Sequence, residues 1–306
     1  MNRWHLARHP WLAVLTFVLV HVLVLTLASV LLIGILSLRS DAPLTQFLLP
    51  ALAHAIVLFG IVPFVLRLPA GKRSFRAYLD EIRLTHVQPL LQLVLLSLSC
   101  YLILALSQVA GVLVYRAAQG GPITWAFVRG IFDLSGDLPP RSWSLLTSLP
   151  SALEEVAFRG VVLSLFLTRY RKPVSIALAA FSFGAIHLLN VVGGREWAWV
   201  LGQVAWASIL GLFYGYVVLK TDSLLPAMLL HYLGNLFVGS LTSYLQSSAS
   251  IQTQALYGVV LTFGLLPTGL MVLWVKAFSS IWPIPHSRQA PVIDHDAEIE
   301  ARPAIP

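Results

Sequence analysis

Residues 145–168 read LLTSLPSALEEVAFRGVVLSLFLT, an apolar stretch that carries three charged side chains, Glu154, Glu155 and Arg159. The stretch is long enough for a membrane-spanning helix, which needs about 20 predominantly apolar residues. A charge at bilayer depth costs about 2.5–3.5 kcal/mol on insertion scales, so three charges in one span require a specific role. This stretch therefore predicts both a membrane helix and the location of the function.

The composition of the whole chain agrees with a membrane protein. Of its 306 residues, 58% are hydrophobic and 11% are charged, and the mean hydropathy is +0.81. A soluble domain carries about 25% charged residues. The net charge of +7 does not indicate a nucleic-acid partner, because the Lys and Arg residues lie between apolar runs and not on one basic face. Cys100, the only cysteine, lies in an apolar run and is interpreted as packing.

The hydropathy pattern predicts an all-α, polytopic membrane protein with about eight transmembrane helices. The expected spans are 11–38, 45–66, 89–115, 142–168, 173–192, 197–219, 223–245 and 255–275, with boundaries uncertain by about 2–4 residues. We expect a transmembrane domain over residues 1–276, with a catalytic core at about 145–245. Residues 277–306 are rich in proline and acidic near their end, and are interpreted as a disordered cytoplasmic tail.

The distribution of basic residues predicts the orientation of the spans. Fourteen Lys and Arg residues fall in loops and ends on one side of the expected membrane, and five fall on the other. Cytoplasmic loops are enriched in Lys and Arg, so both termini are expected in the cytoplasm. The remaining basic residue is Arg159. No targeting signal is evident, and the expected location is a prokaryotic inner membrane as a multi-pass protein.

The spacing of the three buried charges assigns them different roles. Glu155 and Arg159 are four residues apart with the acid first, which favours an ion pair within one helix. Glu154 points about 100° away around the same helix and has no such neighbour. We therefore interpret Glu154 as the free carboxylate of the span.

Histidines in other spans lie at a depth similar to that of Glu154. At about 1.5 Å per residue, Glu154 and His187 both lie about 22 Å from the same membrane edge. His231 lies about 13 Å from that edge, with Asn235 one turn deeper on the same face. These groups could join helices by hydrogen bonds alone. We favour a hydrolytic site, because a carboxylate can accept a proton from water, and imidazole and amide groups can stabilise an oxyanion.

Two further patterns in the spans are interpreted as structural. His21 and His54 lie in spans that contain no acidic partner. Gly211 and Gly215 form a G-x-x-x-G pattern in the sixth span, which we interpret as close helix packing within the chain and not as a dimer interface.

Three motifs carry a family resemblance. Residues 154–159 fit E-E-x-x-x-R, residues 183–187 fit F-x-x-x-H and residues 231–235 fit H-x-x-x-N. In this order on three separate apolar spans, they resemble the CPBP family of intramembrane proteases, also called the Abi family, which includes the type II CAAX prenyl endopeptidases. The resemblance covers about residues 145–245, and the eight-span layout is similar to that family's fold.

The resemblance implies a role for each motif residue. Glu154 matches the family's catalytic glutamate, which activates the attacking water, and His187 matches the histidine that acts on the same water. His231 and Asn235 match the pair that stabilises the oxyanion. The supporting positions of the motifs are matched by Glu155, Arg159 and Phe183.

The function that the resemblance implies is that of an intramembrane endopeptidase. Its substrates would be membrane-associated peptides, including prenylated CAAX-type proteins. Its other partners would be the membrane lipids that surround it. The family is often described as metalloproteases, and Glu154, His187 and His231 could be ligands of Zn²⁺. The chain has no H-E-x-x-H motif, and a glutamate-activated water without a metal explains the same residues equally well.

Buried Glu and His residues are also typical of proton relays in membrane proteins. The alternative function is therefore a proton-coupled transporter, or a non-enzymatic membrane scaffold or immunity protein. Paired broken spans in two related halves would favour transport, and the sequence shows no such halves.

Overall fold

The chain is a bundle of helices in the residues that the structure, a computed structural model, describes. Those residues are 6–69, 74–132, 145–192, 194–248 and 264–284, with the backbone alone described at 7, 130–132 and 237–248. The α-helices are α1 (Pro10–Ser29), α2 (Pro43–Ile56), α3 (Phe75–Glu81), α4 (Leu90–Ala118), α5 (Trp125–Phe132), α6 (Leu149–Glu155), α7 (Leu163–Leu167), α8 (Lys172–Ile186), α9 (Trp197–Thr221), α10 (Leu225–Ser248) and α11 (Leu265–Ile281).

Several helices continue beyond their α-helical part. Wider π-helical turns follow α1, α2 and α6, and a 3₁₀-helix follows α8; these extensions are Val30–Ile35, Val57–Leu66, Val156–Val162 and His187–Val191. Pro63 lies inside the second extension and has no N–H to donate to a helical hydrogen bond. The π-helical turns after α6 contain the buried Arg159, and π-helical turns are frequent at functional sites.

The structure confirms the all-α class and the multi-pass membrane character. Within the described residues, five helices are long and apolar enough to cross a membrane: Pro10–Ile35, Pro43–Leu66, Leu90–Ala118, Lys172–Val191 and Trp197–Thr221. These agree with five of the expected spans to within about three residues at most ends. The total of eight and the cytoplasmic termini stay predictions, because residues 142–144 and 255–263, parts of the fourth and eighth expected spans, lie outside the described residues.

The last described helix differs from the expected boundaries. It begins at Leu265 and ends at Ile281, so the helix extends past residue 276, where we expected the membrane domain to end. Residues 285–306 of the expected tail lie outside the described residues. Two short amphipathic helices, α3 and α5, were not expected from the sequence.

Small residues let α8 and α9 pack closely against each other. A side chain at Gly184 would overlap Ser208, and a Cβ at Gly215 would lie 3.0 Å from Ile176. At Gly211 a Cβ would lie 3.0 Å from Cα of Ala180. The G-x-x-x-G pattern is therefore used for packing within the chain, as predicted.

A polar clasp holds the beginning of α10. The Nε of Arg83 donates to Oδ1 of Asp222 at 3.0 Å, and Nδ1 of His86 lies 2.9 Å from the carbonyl oxygen of Asp222. The amide of Leu224 donates to the carbonyl of Arg83. Arg83 and Asp222 both have a positive φ, 64° and 51°. The clasp fixes the turn between α9 and α10 against the segment between α3 and α4.

We expect Gly211→Ala to destabilise the protein, because the added methyl group would lie 2.8 Å from Nη2 of Arg159 and would press on Ala180. Overpacking of this kind costs about 1–3 kcal/mol. Gly269→Ala in α11 is the matched control, since a Cβ there has nothing within 4 Å. Thermal unfolding of the purified proteins in detergent measures the difference. Equal melting temperatures for Gly211→Ala and Gly269→Ala would contradict the close packing at Gly211.

Candidate active site

A cavity of about 600 Å³ lies among α1, α2, α4, α6, α8, α9 and α10. Its lining includes Glu154, His187, His231 and Asn235, the four residues that the sequence predicts as catalytic. Helix packing explains their meeting, because α10 packs on α6, and α8 packs on the π-helical turns that follow α6. A cavity of this volume is within the range of small-molecule and cofactor sites in proteins.

A buried ion pair lies next to the cavity. Nη1 of Arg159 lies 3.2 Å from Oε1 of Glu155, and both side chains have 0% exposure. This is the pair that the four-residue spacing predicts. A buried charge is tolerated only when it is paired and hydrogen-bonded, so the two side chains depend on each other.

Glu155 also binds His231. Nδ1 of His231 lies 2.7 Å from Oε1 of Glu155, the same oxygen that accepts from Arg159. A carboxylate can only accept, so Nδ1 of His231 carries the proton. The sequence did not reveal this contact, because Glu155 and His231 lie 76 residues apart. Glu155 therefore orients a candidate catalytic ring in addition to neutralising Arg159.

Glu154 faces the cavity, and its side chain is 35% exposed. Its Oε2 lies 4.0 Å from Nε2 of His231, which is too long for a direct hydrogen bond and suits a bridging water. The two adjacent glutamates thus have different environments. Glu155 is enclosed and paired, and Glu154 is open to the cavity, in agreement with its interpretation as the free carboxylate.

His187 is held by its own helix. Its Nδ1 lies 3.0 Å from the carbonyl oxygen of Phe183. Since a carbonyl oxygen can only accept, Nδ1 donates and Nε2 of the neutral ring is an acceptor. The two histidines are therefore oriented by chemically different partners, a neutral carbonyl for His187 and a carboxylate for His231.

Aromatic rings surround the guanidinium of Arg159. Its Cζ lies 4.2 Å from the centre of the Phe183 ring and 5.2 Å from that of Tyr214. The Phe183 ring also contacts His187 and His231 edge to face at 5.1 and 5.8 Å. Contacts between a cation and ring faces contribute about 2 kcal/mol or more when desolvated. Phe183, predicted as a supporting residue, thus contacts three of the charged or catalytic candidates.

Tyr214 was not found by sequence reasoning. Its ring stacks on that of His231, with centres 5.6 Å apart and planes at 26°. The chain contains nine tyrosines, and no motif in the sequence distinguishes Tyr214 from the others. Tyr214 lies one turn after Gly211, the glycine whose missing side chain leaves room for Arg159.

Asn235 lies one turn beyond His231 on α10 and lines the cavity. His21 and His54 line it as well, although the sequence reasoning separated them from the site. Their helices carry no acidic residue, and the pattern contained no sign that α1 and α2 would close the cavity.

The His, Cys, Asp and Glu side chains that the structure describes do not form a zinc site. Among the residues that the structure describes, no group of three or more His, Cys, Asp or Glu side chains is arranged to hold a metal ion. A catalytic zinc site uses three protein ligands. The set Glu154, His187 and His231 therefore does not fit such a site in this arrangement.

The comparison with known families gives a match. Residues 139–237 match the family described as type II CAAX prenyl endopeptidase Rce1-like. This confirms the resemblance drawn from the three motifs, all of which lie inside the matched residues. No protein of curated function and no solved structure matches the chain.

We expect Glu155→Gln to lower stability by about 3–5 kcal/mol, because it leaves the buried Arg159 without a counter-charge. The double variant Glu155→Gln/Arg159→Met removes both charges and should recover part of that loss. Thermal or denaturant unfolding is measured for the wild type, Glu155→Gln, Arg159→Met and the double variant. These four proteins form a double-mutant cycle. Additive losses in the double variant would show that the two side chains do not stabilise each other.

Proposed function

We propose that the protein is an intramembrane endopeptidase that hydrolyses a peptide bond with a water molecule activated by Glu154. The observation that carries this proposal is the cavity in which the open Glu154 carboxylate, His187 and His231 lie together. The Rce1-like match supports the same reaction class.

Glu154 and His187 are suited to activate the water. The carboxylate of Glu154 can take one proton from the water as the oxygen attacks the substrate carbonyl carbon. The Nε2 of His187, an acceptor in the neutral ring, can accept a hydrogen bond from the water's other O–H, which stays on the attacking oxygen, and so orient its lone pair. Glu154 then gives its proton to the amine nitrogen as the C–N bond breaks.

His231 and Asn235 are suited to stabilise the oxyanion of the tetrahedral intermediate. An oxyanion needs donors, and His231 donates from Nε2 as well as Nδ1 when its ring is doubly protonated. Glu155 accepts from Nδ1 and so holds the ring with its Nε2 4.0 Å from Oε2 of Glu154. The side-chain amide of Asn235 supplies a further donor.

The substrate we propose is a membrane-associated peptide, with prenylated CAAX-type peptides as the first class to test. The cavity lining combines the polar site with apolar side chains such as Phe17, Val18 and Leu25. An acyl or prenyl chain could lie among these side chains and membrane lipids while the peptide reaches Glu154. We propose a prokaryotic inner membrane as the location, with both termini in the cytoplasm.

We expect Glu154→Gln to reduce cleavage of a farnesylated CAAX peptide by at least about a hundredfold, since general-base catalysis contributes about 10²–10⁴. The change keeps the shape of a side chain that is 35% exposed and should leave the melting temperature nearly unchanged. Mass spectrometry of the products measures cleavage by purified protein in detergent. Glu196→Gln, at the start of α9, is the matched glutamate control. Equal cleavage by wild type and Glu154→Gln would remove Glu154 from the mechanism.

We expect cleavage to persist after prolonged incubation with a strong chelator, because the described donors do not form a three-ligand metal site. The same product assay before and after chelation, followed by addition of Zn²⁺, makes the measurement. Loss of activity with recovery on Zn²⁺ would overturn the metal-free mechanism and leave Glu154 as a candidate ligand.

A further inference from the structure

The cavity contains two hydrogen-bonded side-chain amides that the proposed mechanism does not use. Nδ2 of Asn190 donates to Oε1 of Gln203 at 2.8 Å, and both residues line the cavity. Asn190 belongs to the 3₁₀-helix His187–Val191 and Gln203 to α9, and these two elements pack against each other. We call Asn190 and Gln203 the amide pair.

The amide pair lies close to His187. Residues three apart in a 3₁₀-helix share one face, so Asn190 follows His187 on that face, about 6 Å along the axis at about 2.0 Å per residue. A Cβ at Gly184 in α8 would lie 2.7 Å from the carbonyl oxygen of Val204 in α9. Because α8 and α9 run antiparallel, Gln203 lies at about the level of His187.

The amide pair keeps an acceptor and a donor for a ligand. Oδ1 of Asn190 and Nε2 of Gln203 make no hydrogen bond with any part of the chain that the structure describes. Rotation of both amides by 180° reverses the bond between them and still leaves an acceptor and a donor. Both side chains are half-buried and line the cavity, so these groups are accessible from it.

The charges around the cavity favour a neutral polar ligand. Its described lining contains no Lys or Arg, and Glu154 is its acidic residue, so an anion would be repelled. The amides themselves carry no charge. A peptide backbone is neutral and has both an N–H and a C=O. In an extended chain these two groups of one residue can point to the same side, as they do in a hydrogen-bonded antiparallel pair.

We propose that the amide pair binds the backbone of the peptide substrate in an extended conformation, one or two residues from the cleaved bond. Oδ1 of Asn190 accepts from the N–H of that residue, and Nε2 of Gln203 donates to its C=O. The inference rests on the proposed endopeptidase function and adds a substrate contact to it. An extended chain advances about 3.2–3.4 Å per residue, so the 6 Å between His187 and Asn190 corresponds to about two residues.

The bilayer gives this contact its purpose. Backbone groups inside the hydrocarbon region have no water to bind, and leaving them unsatisfied is costly. A substrate segment that unfolds to reach Glu154 exposes such groups. The amide pair satisfies two of them without reading a side chain, and it thereby fixes which bond of the substrate lies beside Glu154.

Binding of peptides with a modified backbone tests the amide pair separately from cleavage. The probe is a fluorescein-labelled, farnesylated CAAX peptide in which each backbone N–H near the farnesylated cysteine is replaced in turn by an ester oxygen. The ester keeps the chain length and removes one donor. The full-length Glu154→Gln protein is titrated with each peptide by fluorescence anisotropy. We expect one ester to weaken binding at least about fivefold relative to the all-amide peptide, because it leaves Oδ1 of Asn190 without a partner.

The variant Asn190→Leu/Gln203→Met, added to Glu154→Gln, should reduce this difference to about twofold or less. Replacing both partners of a hydrogen bond by apolar side chains of similar shape is nearly neutral for stability, so the fold should be kept. A purely structural role would change the affinity of all the peptides equally and leave their ratio unchanged. Gln108→Met is the matched control, because the amide of Gln108 also lines the cavity but belongs to α4. It should leave the difference unchanged.

Equal affinity of every ester and the all-amide peptide for Glu154→Gln overturns the proposal, as does a difference that survives the double variant. Mass spectrometry of the wild-type products locates the cleaved bond, and a sensitive ester more than two residues from it also overturns the proposal. Failure of every peptide to bind would contradict the proposed function itself, and this inference with it. A difference that is lost in the double variant and kept in Gln108→Met supports the amide pair as a substrate contact.

Discussion

The arrangement of the site depends on how the protein stabilises a positive charge inside a bilayer. Arg159 is fully buried, and its charge is balanced by Glu155 and covered by the rings of Phe183 and Tyr214. Because Glu155 also holds His231, the same pair that makes the charge tolerable orients the ring beside Glu154. Stability and chemistry therefore share the same carboxylate oxygen, and a change to one is expected to disturb the other.

The helices around the Glu155–Arg159 pair supply the space and the enclosure that the two side chains need. Glycine at position 211 leaves space for the guanidinium between α8 and α9. The π-helical turns after α6 place Arg159 and the residues around it in the interior. The first two membrane helices close the cavity with histidines, so residues far outside the matched family region contribute to its lining.

Much of this arrangement could be predicted from the sequence, because local rules govern it. Hydrophobic run lengths located the helices, and the four-residue spacing predicted the Glu155–Arg159 pair. The contact between Glu155 and His231 could not be predicted, because it depends on how α6 and α10 rotate against each other. The inclusion of His21 and His54 in the cavity was missed for a similar reason, since depth along a span does not tell which neighbour a side chain faces.

The clasp at Arg83 and Asp222 has a mechanical consequence for this cavity. It anchors one end of α10, and His231 lies nine residues beyond Asp222, about 13 Å along the chain if helical rise applies. Because a helix is stiff, a small tilt of α10 at this end would therefore displace the imidazole of His231. Its Nε2 lies 4.0 Å from Oε2 of Glu154, and a displacement of about one ångström is enough to cost a catalytic site a hundredfold in rate. The largely buried turn at Asp222 thus fixes the position of the helix that carries His231.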